Sequence, residues 1–255
     1  MYPRKTVDLA LLLSGHGLLD RENALICGVS PAAIRHWRNE RRRSARSQPD
    51  RPEARCPRCH GLPLNEPAYA YLLGLYLGDG HIAQGRRGVY ALMVACADSW
   101  PGLIDSAAET MTAVMPCSRV CRVQLIGCTA VKSYSRHWPC LFPQHGAGRK
   151  HSRLIELAPW QRDIVAQFPG AFARGLFHSD GCRVVNRVRR QTSMGERHYE
   201  YPRYFFSNES ADILGLCGWA LDLLGVGWRL SRRNSISVAR REAVARLDEF
   251  VGPKY

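Results

Sequence analysis

Leu73 to Gly80 reads Leu-Gly-Leu-Tyr-Leu-Gly-Asp-Gly, and Arg174 to Gly181, 101 residues later, reads Arg-Gly-Leu-Phe-His-Ser-Asp-Gly in the same register. A single Asp-Gly at the end of an apolar run means little, because glycine is the usual residue just past a helix. Two in register, with Gly, Leu, Asp and Gly coinciding and Tyr76 matched by Phe177, point to an internal repeat. In each copy a small residue recurs four positions on, Gly74 with Gly78 and Gly175 with Ser179, which on a helix is one face. Small faces let two helix backbones approach closely. Both helices then end in an aspartate. A carboxylate at a helix C-terminus opposes the dipole, and two brought together repel, so the pair calls for a counter-charge such as a divalent cation.

The segments downstream of the two copies repeat as well: a hairpin-like stretch, a capped amphipathic helix, a second hairpin and another helix. The first amphipathic helix begins near Ser99 and buries Ile104, Ala107, Met111 and Met115. The second begins near Asn208 or Ser210 and buries Ile213, Leu216, Cys217, Ala220, Leu221 and Leu224, stopping at Gly225. Trp228 to Val238 alternates around Arg233-Asn234 as a hairpin does.

These two segments resemble the paired motifs of the LAGLIDADG homing endonucleases in their single-chain form, over roughly residues 67–251. The resemblance implies an α/β (α+β) fold of two pseudo-symmetric αββαββα repeats, about 67–160 and 161–255, whose sheets form a DNA-binding saddle. It also implies metal-dependent cutting of both DNA strands. Asp79 and Asp180 match the metal-binding aspartates, with Gly80 and Gly181 closing the helices at the metal site, and the cofactor implied is Mg2+ or Mn2+. The family's often acidic position two residues earlier is Leu77 and His178 here, a departure from the pattern. Lys132, in the expected fourth strand, matches the strand lysines that support a scissile phosphate in this family; a DNA-contacting or solvated lysine is the equal alternative. Arg183, Arg187, Arg189, Arg190, Arg197 and Arg203 fit a DNA-facing sheet surface.

Composition agrees. Of 36 basic residues against 22 acidic, only Lys5, Lys132, Lys150 and Lys254 are lysines. Arginine pairs bidentately with phosphate and with guanine, so a net charge of +14 carried this way points to nucleic acid, with genomic codon bias as the competing source. The 255 residues, 45% hydrophobic and 23% charged, suit one sizeable core plus a small module. No apolar run approaches the roughly 20 residues of a membrane span, and no secretory leader is expected. A cytoplasmic, nucleoid-associated chain is therefore expected, working as a monomer because it holds both repeats. The ends, Met1-Tyr2 and Lys254-Tyr255, lack intein splice residues, so intein identity is not expected.

Residues 1–46 read as a helix-turn-helix similar to those of resolvase-like and transposase-like DNA-binding domains. Asp20 is placed to cap a first helix, Ser30-Pro31 starts a second, and Gly28 supplies the turn. Ala24, Val29, Ile34 and Trp37 fall on buried positions, leaving Arg35, His36, Arg38 and Asn39 for the groove, with Arg41, Arg42, Arg43 and Arg46 as a basic tail. A small helical hairpin with no DNA role is the plainer reading.

Residues 47–66, with Pro49, Pro52, Pro57 and Pro63, read as a linker carrying Cys56-Pro-Arg-Cys59, the knuckle spacing of a structural zinc. One Cys-x-x-Cys is half a site. Cys117, Cys121, His137, Cys140, His145, His151 and His60 are all candidates for the rest, and reduced linker thiols are the alternative. The remaining cysteines are expected as reduced thiols, with Cys27, Cys182 and Cys217 on or near buried faces. Two functions fit the whole: a metal-dependent, site-specific double-stranded DNA endonuclease, and a non-cleaving LAGLIDADG-type transcriptional regulator.

Overall fold

The computed structural model describes residues 2–46, 56–192 and 195–254, with the backbone alone for residues 40–46, 190 and 192. The chain divides into two compact units, Met1–Glu53 and Ala54–Tyr255.

The first unit is a bundle of α1 (Arg4–Gly15), α2 (Asp20–Cys27) and α3 (Pro31–Arg46). Gly28 takes the left-handed conformation (φ 63°) that ends α2, and Ser30 caps α3 through its Oγ on the Ala33 amide. Its small core is Ala10, Ala24 and Ile34, with Val29 and Trp37 packed on it half-buried. Buried Asn23 donates through Nδ2 to the Ala10 carbonyl and to Ser14 Oγ, both at 2.8 Å, locking α1 onto α2. One expectation is corrected. Asp20 is not the cap of α2; Leu19 is, and the Asp20 carboxylate is taken by Arg38 at 2.7 Å and approached by Arg35 at 3.6 Å.

The second unit opens with a one-turn helix α4 (Pro57–His60), then runs α5 (Glu66–Leu77), β1 (Gly80–Gln84), β2 (Tyr90–Ala97), α6 (Pro101–Val114), β3 (Val120–Leu125), β4 (Cys128–Ser135) and the single turn α7 (Trp138–Leu141). After α8 (Pro159–Gln167) the order recurs: α9 (Pro169–Asp180), β5 (Gly181–Thr192), β6 (Gly195–Ser207), α10 (Ala211–Leu223), β7 (Arg229–Arg232), β8 (Ser235–Val238) and α11 (Arg241–Val251). Each half forms a four-stranded antiparallel sheet of the same order, β1-β2-β4-β3 and β5-β6-β8-β7. The doubled αββαββα order expected from the repeat is thus present. Part of the expected linker is not linker: Cys56 and Pro57 are buried in this unit, while 47–55 lie outside the described residues.

α5 and α9 are the central pair. α5 is apolar on every side and buried from Tyr69 to Leu77, as a helix enclosed by a core must be. The small-residue face works by contact. A Cβ on Gly74 would stand 2.5 Å from the Phe172 carbonyl oxygen and 2.7 Å from the Leu176 amide, and one on Gly175 would strike the Tyr71 carbonyl and the Gly74 backbone. Two backbones meet here with no room for a side chain. The inner sheet rows, Leu92, Val94 and Val131 in one repeat and Tyr204, Phe206, Ile236 and Val238 in the other, close on α5, α6, α9 and α10 in one continuous core. All the apolar positions expected on α6 and α10 are buried, Ser210 caps α10, and Gly225 stops it at φ 66°. Cys217 is buried and Cys27 half-buried, but Cys182 is exposed, because it falls on the outer face of β5. Among the described residues no helix is long and apolar enough to cross a membrane.

Candidate functional site

Because the two helices touch through glycine, their C-terminal ends are forced together. A Cβ on Gly78 would collide with the Ser179 side chain and lie 3.0 Å from Asp180 Oδ2, which places the second carboxylate over the end of the first helix. Gly80 and Gly181 begin β1 and β5 where the chain turns against its own helix; a Cβ there would lie 2.5 Å from Tyr76 Cα and 2.6 Å from Phe177 Cα. Burial, followed by the charge of Asp180, pushes the Asp79 carboxyl up to about 6. Burial also raises Asp180, opposed by Asn208, whose Nδ2 donates to Asp180 Oδ2 at 2.7 Å.

Two lysines answer those charges. Lys150 Nζ donates to the carbonyls of Tyr76 (2.5 Å), Leu77 (2.9 Å) and Gly78 (2.5 Å), the unpaired oxygens at the end of α5. Lys254 Nζ donates to the carbonyls of Ser179 (3.3 Å) and Gly181 (2.6 Å) at the end of α9. Each lysine comes from the far end of its own repeat, 72 residues beyond Gly78 and 75 beyond the matching Ser179. Burial draws Lys150 down to about 8 against the pull of Asp180 and Asp79, and it lowers Lys254 as well. A cleft of about 850 Å³ opens beside Lys150 and Asp180, lined also by Gly78, Gly80, His81, Asn208, Arg149 and Arg153.

The positions two before the aspartates are structural. Leu77 is core, and His178 is buried, its Nδ1 bonded to Tyr71 OH and its Nε2 to the Val251 carbonyl, both at 2.9 Å. Burial, chiefly, draws its pKa down to about 4, so it is neutral and adds no charge to the pair. Lys132 lies on the open face of the first sheet, in a row with Met93 and Cys121; burial lowers the pKa of neighbouring His81, and the charges of Lys150 and then Lys132 add to it.

Strand alternation sorts the arginines differently from the expectation. Arg183 pairs with Tyr204 across the ladder and shares its helix side, where it grips Asp248 of α11 bidentately at 2.8 and 2.9 Å. Arg187 and Arg189 lie further along that side and pair with Glu200 at 2.9 Å and Glu196 at 3.9 Å. The open face instead carries Val184, Asn186, Tyr199, Tyr201 and Arg203, the last held by Ser237 Oγ at 2.7 Å. In the first unit Arg35, His36 and Asn39 are exposed on α3, while Arg38 is half-buried against Asp20. The side chains of Arg41, Arg42, Arg43, Arg46 and Arg190 lie outside the described residues.

Sequence reasoning missed Lys150, Lys254 and Asn208. The scarcity of lysine in so arginine-rich a chain, and the matched distance of two of the four from the two motifs, was the available signal.

No protein-family model matches the chain, and no curated protein does. Among solved structures it is similar to the homing endonuclease I-DmoI in complex with DNA and Mn (14% identity, 74% of this chain, 99% of that one, TM-score 0.46). It is also similar to the LAGLIDADG meganuclease I-AabMI bound to uncleaved DNA (10%, 71% and 83%, TM-score 0.46). A third is the N-terminal LAGLIDADG domain of DUF199/WhiA (14%, 75% and 87%, TM-score 0.44).

Proposed function

We propose that the chain binds double-stranded DNA and cleaves it at specific sites with a divalent cation. The observation that supports this most is the pair of aspartates, one from each repeat, brought together by helices packed so closely that no side chain fits at Gly74 or Gly175. Carboxylate oxygens at two opposed helix ends form a donor set for a hard cation such as Mg2+ or Mn2+, so Asp79 and Asp180 would hold it. Bound there, the ion would supply charge stabilisation for the attacking and leaving oxygens of a phosphodiester and lower the pKa of a coordinated water.

The chain's own residues frame that chemistry. Asn208 fixes one Asp180 oxygen, and Lys150 and Lys254 hold the helix ends that carry both carboxylates. The Gly181 carbonyl is engaged by Lys254, so it serves as a metal ligand only if that lysine yields it. Lys132, Tyr134, Tyr201 and Arg203 on the open sheet faces are the residues we assign to the DNA backbone and grooves in the second unit. Exposed Arg35, His36 and Asn39 would take the same role in the first, as a helix-turn-helix. Because one chain supplies both carboxylates, it acts as a monomer, in the compartment that holds the DNA.

A second reading, a DNA-binding regulator that does not cut, is favoured by the same two lysines, since they already give the aspartates a counter-charge. Incubating the protein with a supercoiled-plasmid library separates the two. Endonuclease activity predicts linear products in Mg2+ or Mn2+ that disappear in Asp79→Asn and Asp180→Asn, while DNA binding in metal-free buffer is retained or tightened, because a negative charge facing phosphate is gone. Specific, metal-independent binding to a promoter-like site with the plasmid uncut in both metals would sink the endonuclease reading.

A further inference from the structure

Four side chains far from the aspartates converge on a second point. Cys56, Cys59, His137 and Cys140 place their sulfur and imidazole nitrogen atoms all within 4.8 Å of one another. Cys59 Sγ and Cys140 Sγ are 3.2 Å apart, and Cys140 Sγ is 4.0 Å from His137 Nδ1. Four ligands on a tetrahedron, with bonds of about 2.3 Å to sulfur and about 2.0 Å to nitrogen, would stand roughly 3.5 to 3.8 Å from each other. The cluster brackets that spacing.

We infer that these residues form a tetrahedral Cys3His zinc site, a metal centre separate from the aspartate pair and independent of whether the protein cuts DNA. Local structure supports it on both sides. Each ligand pair sits on a one-turn helix, α4 or α7, with the first ligand as its N-cap and the second three residues on. Residues three apart share one helix face, so each turn presents two ligand atoms in the same direction. Both turns contain a proline, Pro57 and Pro139, which fixes the backbone at its start. The shell around the ligands is engaged as well: His60 Nδ1 accepts from the Cys56 amide at 2.9 Å, and Ser135 Oγ accepts from the His137 amide at 3.1 Å. Those bonds hold the first ligand of each pair in place.

The other candidates, His60, Cys117, Cys121, His145 and His151, are not in this group of four. His60 commits its Nδ1 to Cys56 and packs its ring edge-on against His137 at 5.4 Å, next to the site rather than in it. Cys121 lies in β3 on the sheet, and His145 packs against the Tyr90 ring at 5.7 Å. Zinc suits the donor set because three thiolates and an imidazole are soft to borderline ligands, a poor match for Mg2+. Its role would be to clip the start of the second unit to the segment after β4, closing a loop between residues 81 apart, Cys59 and Cys140.

The full chain, purified under reducing conditions from cells grown with added zinc, should carry one zinc per molecule by elemental analysis. Cys59→Ser, Cys140→Ser and His137→Ala should each drop that to a small fraction, Cys140→His should keep it, and Cys121→Ser and His145→Ala should leave it unchanged. Co2+ exchanged into the wild type should give the thiolate-to-metal absorption and strong visible bands of a tetrahedral site, weakened in Cys140→Ser. Asp79→Asn should bind zinc as the wild type does, so a failed cleavage assay says nothing about this site. Wild-type protein with neither zinc nor a Co2+ spectrum would overturn the assignment. So would full zinc in both Cys140→Ser and His137→Ala, or a Cys59–Cys140 disulfide in the freshly purified chain.

Discussion

Asp79 keeps an exposed edge, yet the protein packed around it and a second carboxylate together lift its pKa to about 6 from an ordinary 3.8. Between about pH 4 and pH 6 the folded chain therefore holds a proton that the unfolded chain has lost, and stability falls as pH rises through that window. Asparagine at this position never ionises. In metal-free buffer Asp79→Asn should raise the melting temperature of the second unit above about pH 6, and the gain should vanish below about pH 4. Its size is reduced because water still reaches one side of Asp79 and screens the repulsion. Added Mg2+ should narrow the gap by stabilising the wild type, which binds it, over the variant, which does not. Paired thermal melts at about pH 4 and pH 7.5, with chelator and with Mg2+, check this; a difference that does not vary with pH would show that the carboxylate is not under strain.

At the scale of elements, the legible part of the sequence was whatever periodicity and glycine carry. The doubled Asp-Gly, the apolar stripes of α6 and α10, and the Ser30, Ser210, Gly28 and Gly225 boundaries all stand where the pattern put them. The illegible part depends on partners distant in the chain. Asp20 does not cap α2 because Arg38, on the next helix, offers a charged pair. Arg183, Arg187 and Arg189 turn to the helix side because Arg183 is the partner of core-facing Tyr204 and the other two follow it at even spacing, a phase that a run rich in arginine hides. Trp37, placed by the sequence on a buried position, is only half-buried and meets Tyr2 edge-on at 5.2 Å. Ile34, 1% exposed, is the anchor. Ile34→Ala should cost about 2 to 5 kcal/mol, enough to unfold a unit with so small a core, and Trp37→Ala less. Denaturant titrations followed by circular dichroism should then show the first unit's transition lost in Ile34→Ala with the second unit's midpoint unmoved.

On the proposed function, the quantity that governs binding by the whole molecule is the positive charge it can set against phosphate, with each unit offering a surface for it. A few arginines are already paired, Arg38 with Asp20 and, at the surface, Arg122 with Asp105 and Arg183 with Asp248, and such arginines release few counterions on binding DNA. The net charge of +14 already discounts such pairs, so it bounds the phosphates contacted more closely than the 36 basic residues do. The first unit presents Arg35, His36 and Asn39 on the exposed side of α3, with Arg41, Arg42, Arg43 and Arg46 next in sequence. Because log affinity falls with log salt in proportion to the phosphates neutralised, by about 0.9 per contact on duplex DNA, removing residues 1–46 should make that slope shallower. The binding that is left is expected to come from the open sheet faces of the second unit, whose own contacts the truncation does not remove. Measuring affinity for one duplex across a salt series, with the full chain and with the truncated one, decides the point: an unchanged slope would show that the first unit does not touch DNA and would leave its three helices without a role in binding.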